Sequence, residues 1–205
     1  MRTRMMLAIV TVLWSMPLLC QQPPSQRIIV AEGGAMEERG SARVLYWDTK
    51  LNTYAGQFAI DYGRPEWKKD YEDPAKFDGM TKGKVWRMGK DFWTILDSSL
   101  PLKISGKSVP PGYYYLGLRR STDGAQWSLA LLDPVKIRAA LLDAYIINKA
   151  KVEFEVPVKV EHAKDIVGKL TIALAYQEKT PTHVTFKLAW GNFVATAPIE
   201  VTLVK

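Results

Sequence analysis

The last quarter of the chain leaves little freedom in how it can fold. Val152, Phe154, Val156, Val158 and Val160 alternate with Glu153, Glu155, Pro157, Lys159 and Glu161. Leu170, Ile172, Leu174 and Tyr176 repeat the pattern against Lys169, Thr171, Ala173 and Ala175, and Val184, Phe186, Leu188 and Trp190 continue it. Phe193, Ala195, Ala197, Ile199, Val201 and Leu203 complete the series. Successive side chains of a strand point to opposite faces, so a period of two describes strands with one face buried and one wet, which is the habit of antiparallel sheets. Pro157 and Pro198 cannot donate to a ladder and are expected at edges or bulges.

The same signal recurs upstream. Residues 42–49 are β-branched and aromatic, and residues 27–31 form a short apolar run expected to be a first strand. Tyr54, Phe58, Ile60 and Tyr62 share one face with Gly56, opposite Ala55, Gln57, Ala59 and Asp61. Residues 92–98 and 100–104 read as strands. Residues 113–120 and 126–132 read as a hairpin turned by Thr122-Asp123-Gly124. Residues 66–81 are dense in charge, carry Pro74 and Asp78-Gly79, and read as a loop. One helix is expected within 133–150: Asp133 can cap it, Pro134 suits its first position, and Ile137, Leu141 and Tyr145 fall on one face. About ten strands and one short helix predict an all-β fold, an antiparallel β-sandwich of which the jelly roll is one form.

The chain opens with Arg2 and Arg4, followed by an apolar run from Met5 to Trp14 that is too short to span a bilayer as a helix. Pro17 follows. Residues 1–22 are therefore expected to be a signal peptide and its cleavage region, and residues 23–205 a single β-sandwich domain in the periplasm or outside the cell. Lipid attachment at Cys20 is the alternative, disfavoured because Leu19 is large where a small residue is wanted. Cys20 is the only cysteine, so the mature domain is expected to have neither disulfide nor thiol chemistry. Removing residues 1–20 takes two of the 28 basic residues and none of the 21 acidic ones, lowering the net charge from +7 to +5. That excess suits anionic envelope polymers and is equally ordinary without them. No second apolar run reaches membrane-spanning length.

Two motifs, Tyr62-Gly63-Arg64-Pro65 and Gly83-Lys84-Val85-Trp86-Arg87-Met88-Gly89, precede Gly106-Lys107-Ser108-Val109-Pro110-Pro111-Gly112-Tyr113 and a strand bearing Trp127. Leu170-Thr171-Ile172 and Leu188-Ala189-Trp190-Gly191 follow near the end. Over roughly residues 54–201 this arrangement resembles an exported bacterial family, domain of unknown function 2911. The chain departs from the family pattern at Lys90-Asp91-Phe92-Trp93-Thr94, where the family usually has Ala-Asn and a nearby threonine; Asp91 and Thr94 are the residues that could partly replace the asparagine. The resemblance implies a secreted or periplasmic β domain and no particular activity.

The only histidines, His162 and His183, are not at metal-ligand spacing and read as surface residues. The acidic loop Asp70-Tyr71-Glu72-Asp73 lacks the spacing of a calcium loop. No nucleophile elbow or phosphate-binding glycine loop is present. Neither metal nor cofactor is expected. Aromatic and basic residues interleave from Trp67 to Trp93, as in surfaces that stack on sugars or bases, and export favours glycans over nucleic acid. The leading reading is a non-catalytic module for a glycan or other envelope component, with Tyr62, Arg64, Trp86, Arg87, Asp91 and Thr94 at its site. Tyr62, Arg64, Trp86 and Arg87 are expected to meet in space. The alternative is a hydrolase with a carboxylate site near Asp61 and Asp91.

Overall fold

The computed structural model describes residues 29–31 and 38–203. Contacts divide the chain into two units, Met1–Gly34 and Ala35–Lys205. In the first unit, residues 29–31 belong to no strand, and Ile29 and Val30 are exposed. The strand expected at 27–31 is therefore not formed at these three residues; an apolar run needs a ladder partner as well as propensity. Residues 27 and 28, and the signal segment with Cys20, lie outside the described residues.

The second unit is all-β. Its strands are β1 (Arg39–Asp48), β2 (Thr53–Gly63), β3 (Val85–Trp86), β4 (Thr94–Ser98), β5 (Leu102–Ile104), β6 (Lys107–Val109), β7 (Gly112–Arg120), β8 (Trp127–Leu132), β9 (Phe154–Gln177) and β10 (Thr180–Val201). They pair antiparallel in the order β1-β2-β4-β7-β8-β9-β10-β5-β6, with β3 added to β7. The expected hairpin is β7–β8, in a register that sets Arg120 opposite Trp127.

The path becomes two layers where β9 and β10 part. β9 pairs with β8 from Phe154 to Val158, and with β10 from Lys159 onward. β10 in turn leaves β9 after Thr196 and takes β5 as its partner from Ile199. Pro157 and Pro198 stand at this fork, where each strand has a ladder on one side only. Ser105 spans it: its Oγ donates to the Pro157 carbonyl at 2.7 Å and its N–H to the Pro198 carbonyl at 2.8 Å. The inward faces of the layers form one core, with Phe58, Ile60, Leu116, Leu118, Leu129 and Leu131 against Leu170, Ile172, Val184, Phe186, Leu188 and Ile199. Burying a side chain of this size contributes about 1.5–3 kcal/mol, so this interior holds the layers together.

β9 runs unbroken where two strands were expected. The extra residues are absorbed in a bulge, because Val167 faces Gly191 and His162 faces Phe193. Gly191 has φ +60° there, and a methyl group on it would overlap the Trp67 ring. The bulge explains why the buried residues change from even to odd numbers between Trp190 and Phe193.

Both helical expectations need correction. Asp133 caps α2 (Pro134–Ala139) through the Val135 N–H at 2.8 Å, as the sequence suggests. The helix then stops before Leu141, φ +51°, and Asp143 caps a separate 3-10 turn at Ala144–Lys149. Leu141 and Tyr145 are 87% and 78% exposed, so the apolar face proposed with Ile137 does not exist. The break turns Ala144 and Ile147 inward instead. With Ile137 they bury Trp93, Tyr115 and Leu132 in a second, smaller core on the outer face of β4, β7 and β8. The stretch 66–81, expected as a loop, holds a 3-10 turn at Lys69–Glu72 and α1 (Pro74–Thr81). Asp73 caps α1 through the N–H groups of Ala75 and Lys76, the same Asp-Pro start as in α2. Periodicity missed it because α1 has no buried residue.

Candidate functional site

The residues singled out by the motifs mostly build a seam. β8 covers β9 only as far as Val158, which leaves the backbone of 168–172 without a strand on that side. Buried peptide groups require partners, and the segment leaving β2 provides them. Tyr62 Oη accepts from the Ile172 N–H at 2.9 Å and donates to its carbonyl at 3.3 Å. Arg64 Nε donates to the Leu170 carbonyl at 3.2 Å. The Leu170 N–H donates to the Pro65 carbonyl at 3.0 Å, and the Trp67 N–H to the Gly168 carbonyl at 2.7 Å. Outside this row Glu38 pairs with both Arg64 and Lys169. The Lys169 hydrogen bond, with the charge of Arg64, holds the Glu38 carboxyl below its ordinary range.

The two motifs touch at their glycines. A methyl group on Gly63 would overlap the Lys90 backbone, and one on Gly89 would meet Thr94 Oγ1 at 2.8 Å and the Gly63 backbone at 3.3 Å. Thr94 is fully buried and donates to the Met88 carbonyl at 2.8 Å. Trp86, half-buried, stacks on Trp190 with ring centroids 5.0 Å apart and planes 12° apart. Trp190 Nε1 donates to the Pro65 carbonyl at 2.9 Å, which ties Trp86 to the seam. Arg87 lies elsewhere, 5.6 Å from the Tyr145 ring beside the 3-10 turn. Neighbours on an extended strand point to opposite faces, so Trp86 and Arg87 part company. Asp91 is exposed, with φ +62°. Asp61 receives the Arg39 guanidinium, whose Nη2 also donates to the Trp93 carbonyl at 3.1 Å.

Open surface with chemical variety lies around Trp127 instead. Phe193 approaches Trp127 at 5.0 Å, and Phe77 of α1 approaches Phe193 at 5.9 Å. The Arg120 guanidinium lies 5.2 Å from the Trp127 ring. Trp127 borders three adjoining cavities. A groove of about 860 Å³ is lined by Arg119, Gln126, Ser128, Glu155 and His162 among others. A middle cavity of about 310 Å³ reaches Trp67, Asp78 and Asn192. Under α1 lies an apolar slot of about 90 Å³ formed by Tyr71, Phe77, Met80, Trp86, Trp127 and Trp190. Of the six expected site residues, Trp86 lines one of these cavities.

Several polar groups of the groove are held in place by their neighbours. Glu155 pairs with Arg119 and accepts from Ser128 Oγ at 2.6 Å. Arg120 Nη1 donates to Asp78 at 2.6 Å and to Thr81 Oγ1 at 3.0 Å, and its Nε to the Gly124 carbonyl at 2.9 Å. Hydrogen bonds from Lys82 and Arg120 hold the Asp78 carboxyl below its ordinary range. Three carboxylates of the acidic stretch are likewise occupied: Asp70 pairs with Lys76, Asp73 caps α1 and Asp78 anchors Arg120. Among the described residues, no three His, Cys, Asp or Glu side chains gather as a metal site requires.

Sequence reasoning placed Trp127 on a strand but did not make it a site. The hairpin register was the available signal, since it seats Arg120 opposite Trp127. Nothing local announced Phe77, His162 or Phe193.

No curated protein and no solved structure matches the chain. A family model does match, over residues 48–199, about three-quarters of the sequence and nearly all of the β unit from the end of β1. The chain belongs to the family described as protein of unknown function (DUF2911).

Proposed function

We propose that this chain is an exported, non-catalytic module that binds a glycan in the groove at Trp127. Export is supported by Arg2, Arg4 and the apolar run to Trp14. The single observation that carries the glycan reading is Trp127 itself, a half-exposed indole bordering all three cavities, beside polar side chains already fixed by mutual bonds. Aromatic faces stack on the C–H faces of sugars, while pre-set donors and acceptors select hydroxyl patterns with little ordering cost. A volume of about 860 Å³ suits a whole ligand of a few rings. The seam, by contrast, spends its polar groups on its own backbone.

The test is a titration of the purified chain against a panel of soluble oligosaccharides, followed by calorimetry. Trp127→Ala is expected to weaken binding at least about tenfold, a cost on the scale of one lost stacking contact. Because Trp127 also packs on Phe193, Gln126→Ala serves as a second variant, and melting curves are recorded for both. A panel in which no oligosaccharide binds the unaltered chain overturns the reading. N-terminal sequencing of exported protein, expected to begin near Gln21, tests the export half separately.

A further inference from the structure

We infer that the slot under α1 is a subsite for the acetyl group of an acetylated sugar. The inference rests on the groove reading and narrows its ligand. At about 90 Å³ the slot is far smaller than the ~300–1,000 Å³ of a pocket that encloses a whole ligand, so it takes a substituent while the adjoining groove takes the rings. A lipid chain is too long for it.

Its walls say which substituent. The lining is aromatic and aliphatic, and two of its polar groups are already committed. Trp190 Nε1 is committed to the Pro65 carbonyl. Thr81 Oγ1 donates to the Phe77 carbonyl at 2.7 Å and accepts from Arg120. A strongly hydrated ammonium or carboxylate entering so apolar a slot would lose most of its hydration, whereas a methyl group gains contact with the rings around it.

The mouth adds the second half of the match. Arg120 reaches the slot through Thr81 and lies along the Trp127 ring. Its Nε and Nη1 are engaged, while Nη2 donates to none of the described residues. A methyl-sized apolar end adjoining a carbonyl acceptor meets both features, and an acetyl group is that pair of atoms. N-acetyl and O-acetyl sugars share this chemistry.

The experiment compares three probes on the full chain by calorimetry: the tetramer of N-acetylglucosamine, the unsubstituted glucose tetramer, and the same glucose tetramer carrying O-acetyl groups. The N-acetylated tetramer is expected to bind about tenfold or more tightly than the glucose tetramer, the scale at which one methyl-sized group is discriminated in an apolar pocket. An O-acetylated tetramer that matches it shows that the acetyl group itself is read, and one that does not shows that the amide is read as well. Met80→Phe, which places a larger side chain at the slot, is expected to bring the preference close to one, with circular dichroism recorded to verify the fold. Equal affinity of the unaltered chain for acetylated and plain tetramers overturns the subsite and leaves the groove reading intact. If none of the tetramers binds, the groove reading falls for these glycans and the subsite with it.

Discussion

The seam at Tyr62–Trp67 and the groove at Trp127 are made of the same materials, aromatic rings and arginines, yet they spend them differently. In the seam the phenol of Tyr62 and the Nε of Arg64 are bonded to the backbone of β9, and two glycines meet because no side chain fits between them. In the groove Arg119 and Arg120 are fixed by carboxylates, and the Trp127 ring keeps part of its surface open. A motif that looks chosen for more than packing can therefore be chosen for closure. The unpaired edge of β9 is a liability in any sandwich, and Tyr-Gly-Arg-Pro is the device that covers it here.

The largest effect that sharpens this contrast is expected at Gly63. Gly63→Ala drives a methyl group into the Lys90 backbone, which cannot move aside as a side chain can. A loss of about 3 kcal/mol or more, or failure to fold, is expected in urea denaturation. Wild-type stability in this variant would break the account of the seam.

Tyr62→Phe comes next. It keeps the ring in the core and removes both bonds to Ile172, leaving a buried N–H and carbonyl unpaired at a cost of about 2 kcal/mol. Oligosaccharide affinity of the folded fraction is expected to be unchanged. A loss of affinity without a loss of stability would return Tyr62 to the binding site.

A second phenol joins the layers farther along. Tyr46 is buried, donates to the Pro181 carbonyl at 2.8 Å, and is pushed up to about 12 by burial, with a smaller contribution from Tyr176. The unfolded chain ionises this group near 10 and the folded chain near 12, so the unfolded state loses the proton first as pH rises. The contribution of Tyr46 to stability is thus fully present below pH 10 and is lost between about pH 10 and 12. Melting curves across that window are expected to fall for the unaltered chain and to fall less for Tyr46→Phe. Identical slopes would remove Tyr46 as a latch.

The smallest effect is expected at Arg87. Its guanidinium sits against an exposed Tyr145 ring, a contact worth about 0.5–1 kcal/mol at such a site. Arg87→Ala is expected to lower the melting temperature slightly and leave oligosaccharide binding unaltered. A large fall in affinity would place the second motif in the site after all.

Much of the architecture is legible in the sequence because its signals are local. The alternation through Phe58, Ile60 and Tyr62, and through Val184, Phe186 and Leu188, identifies the buried face of each strand. Pro157 and Pro198 mark positions free of a ladder on one side, and Asp133-Pro134 marks a helix start. Asp73-Pro74 carries the same helix signal, but no apolar stripe follows it to show a helix by periodicity.

By itself the sequence determined most of the strands, the inward faces of the long ones and the fold class, since a period of two depends only on the geometry of neighbouring residues. The tertiary structure decided what lies between distant segments. The order β8-β9-β10-β5 and the cover over β9 depend on which backbone groups lack partners after the hairpins have formed. The end of α2 before Leu141 depends on where Trp93 and Tyr115 offer apolar surface. The middle cavity gathers Phe77, His162 and Phe193 beside the Arg120–Trp127 pair of the β7–β8 hairpin. Beyond that hairpin, none of these stretches carries a mark of the others, because a binding surface is defined by proximity in space, and that proximity exists only once the two layers have closed.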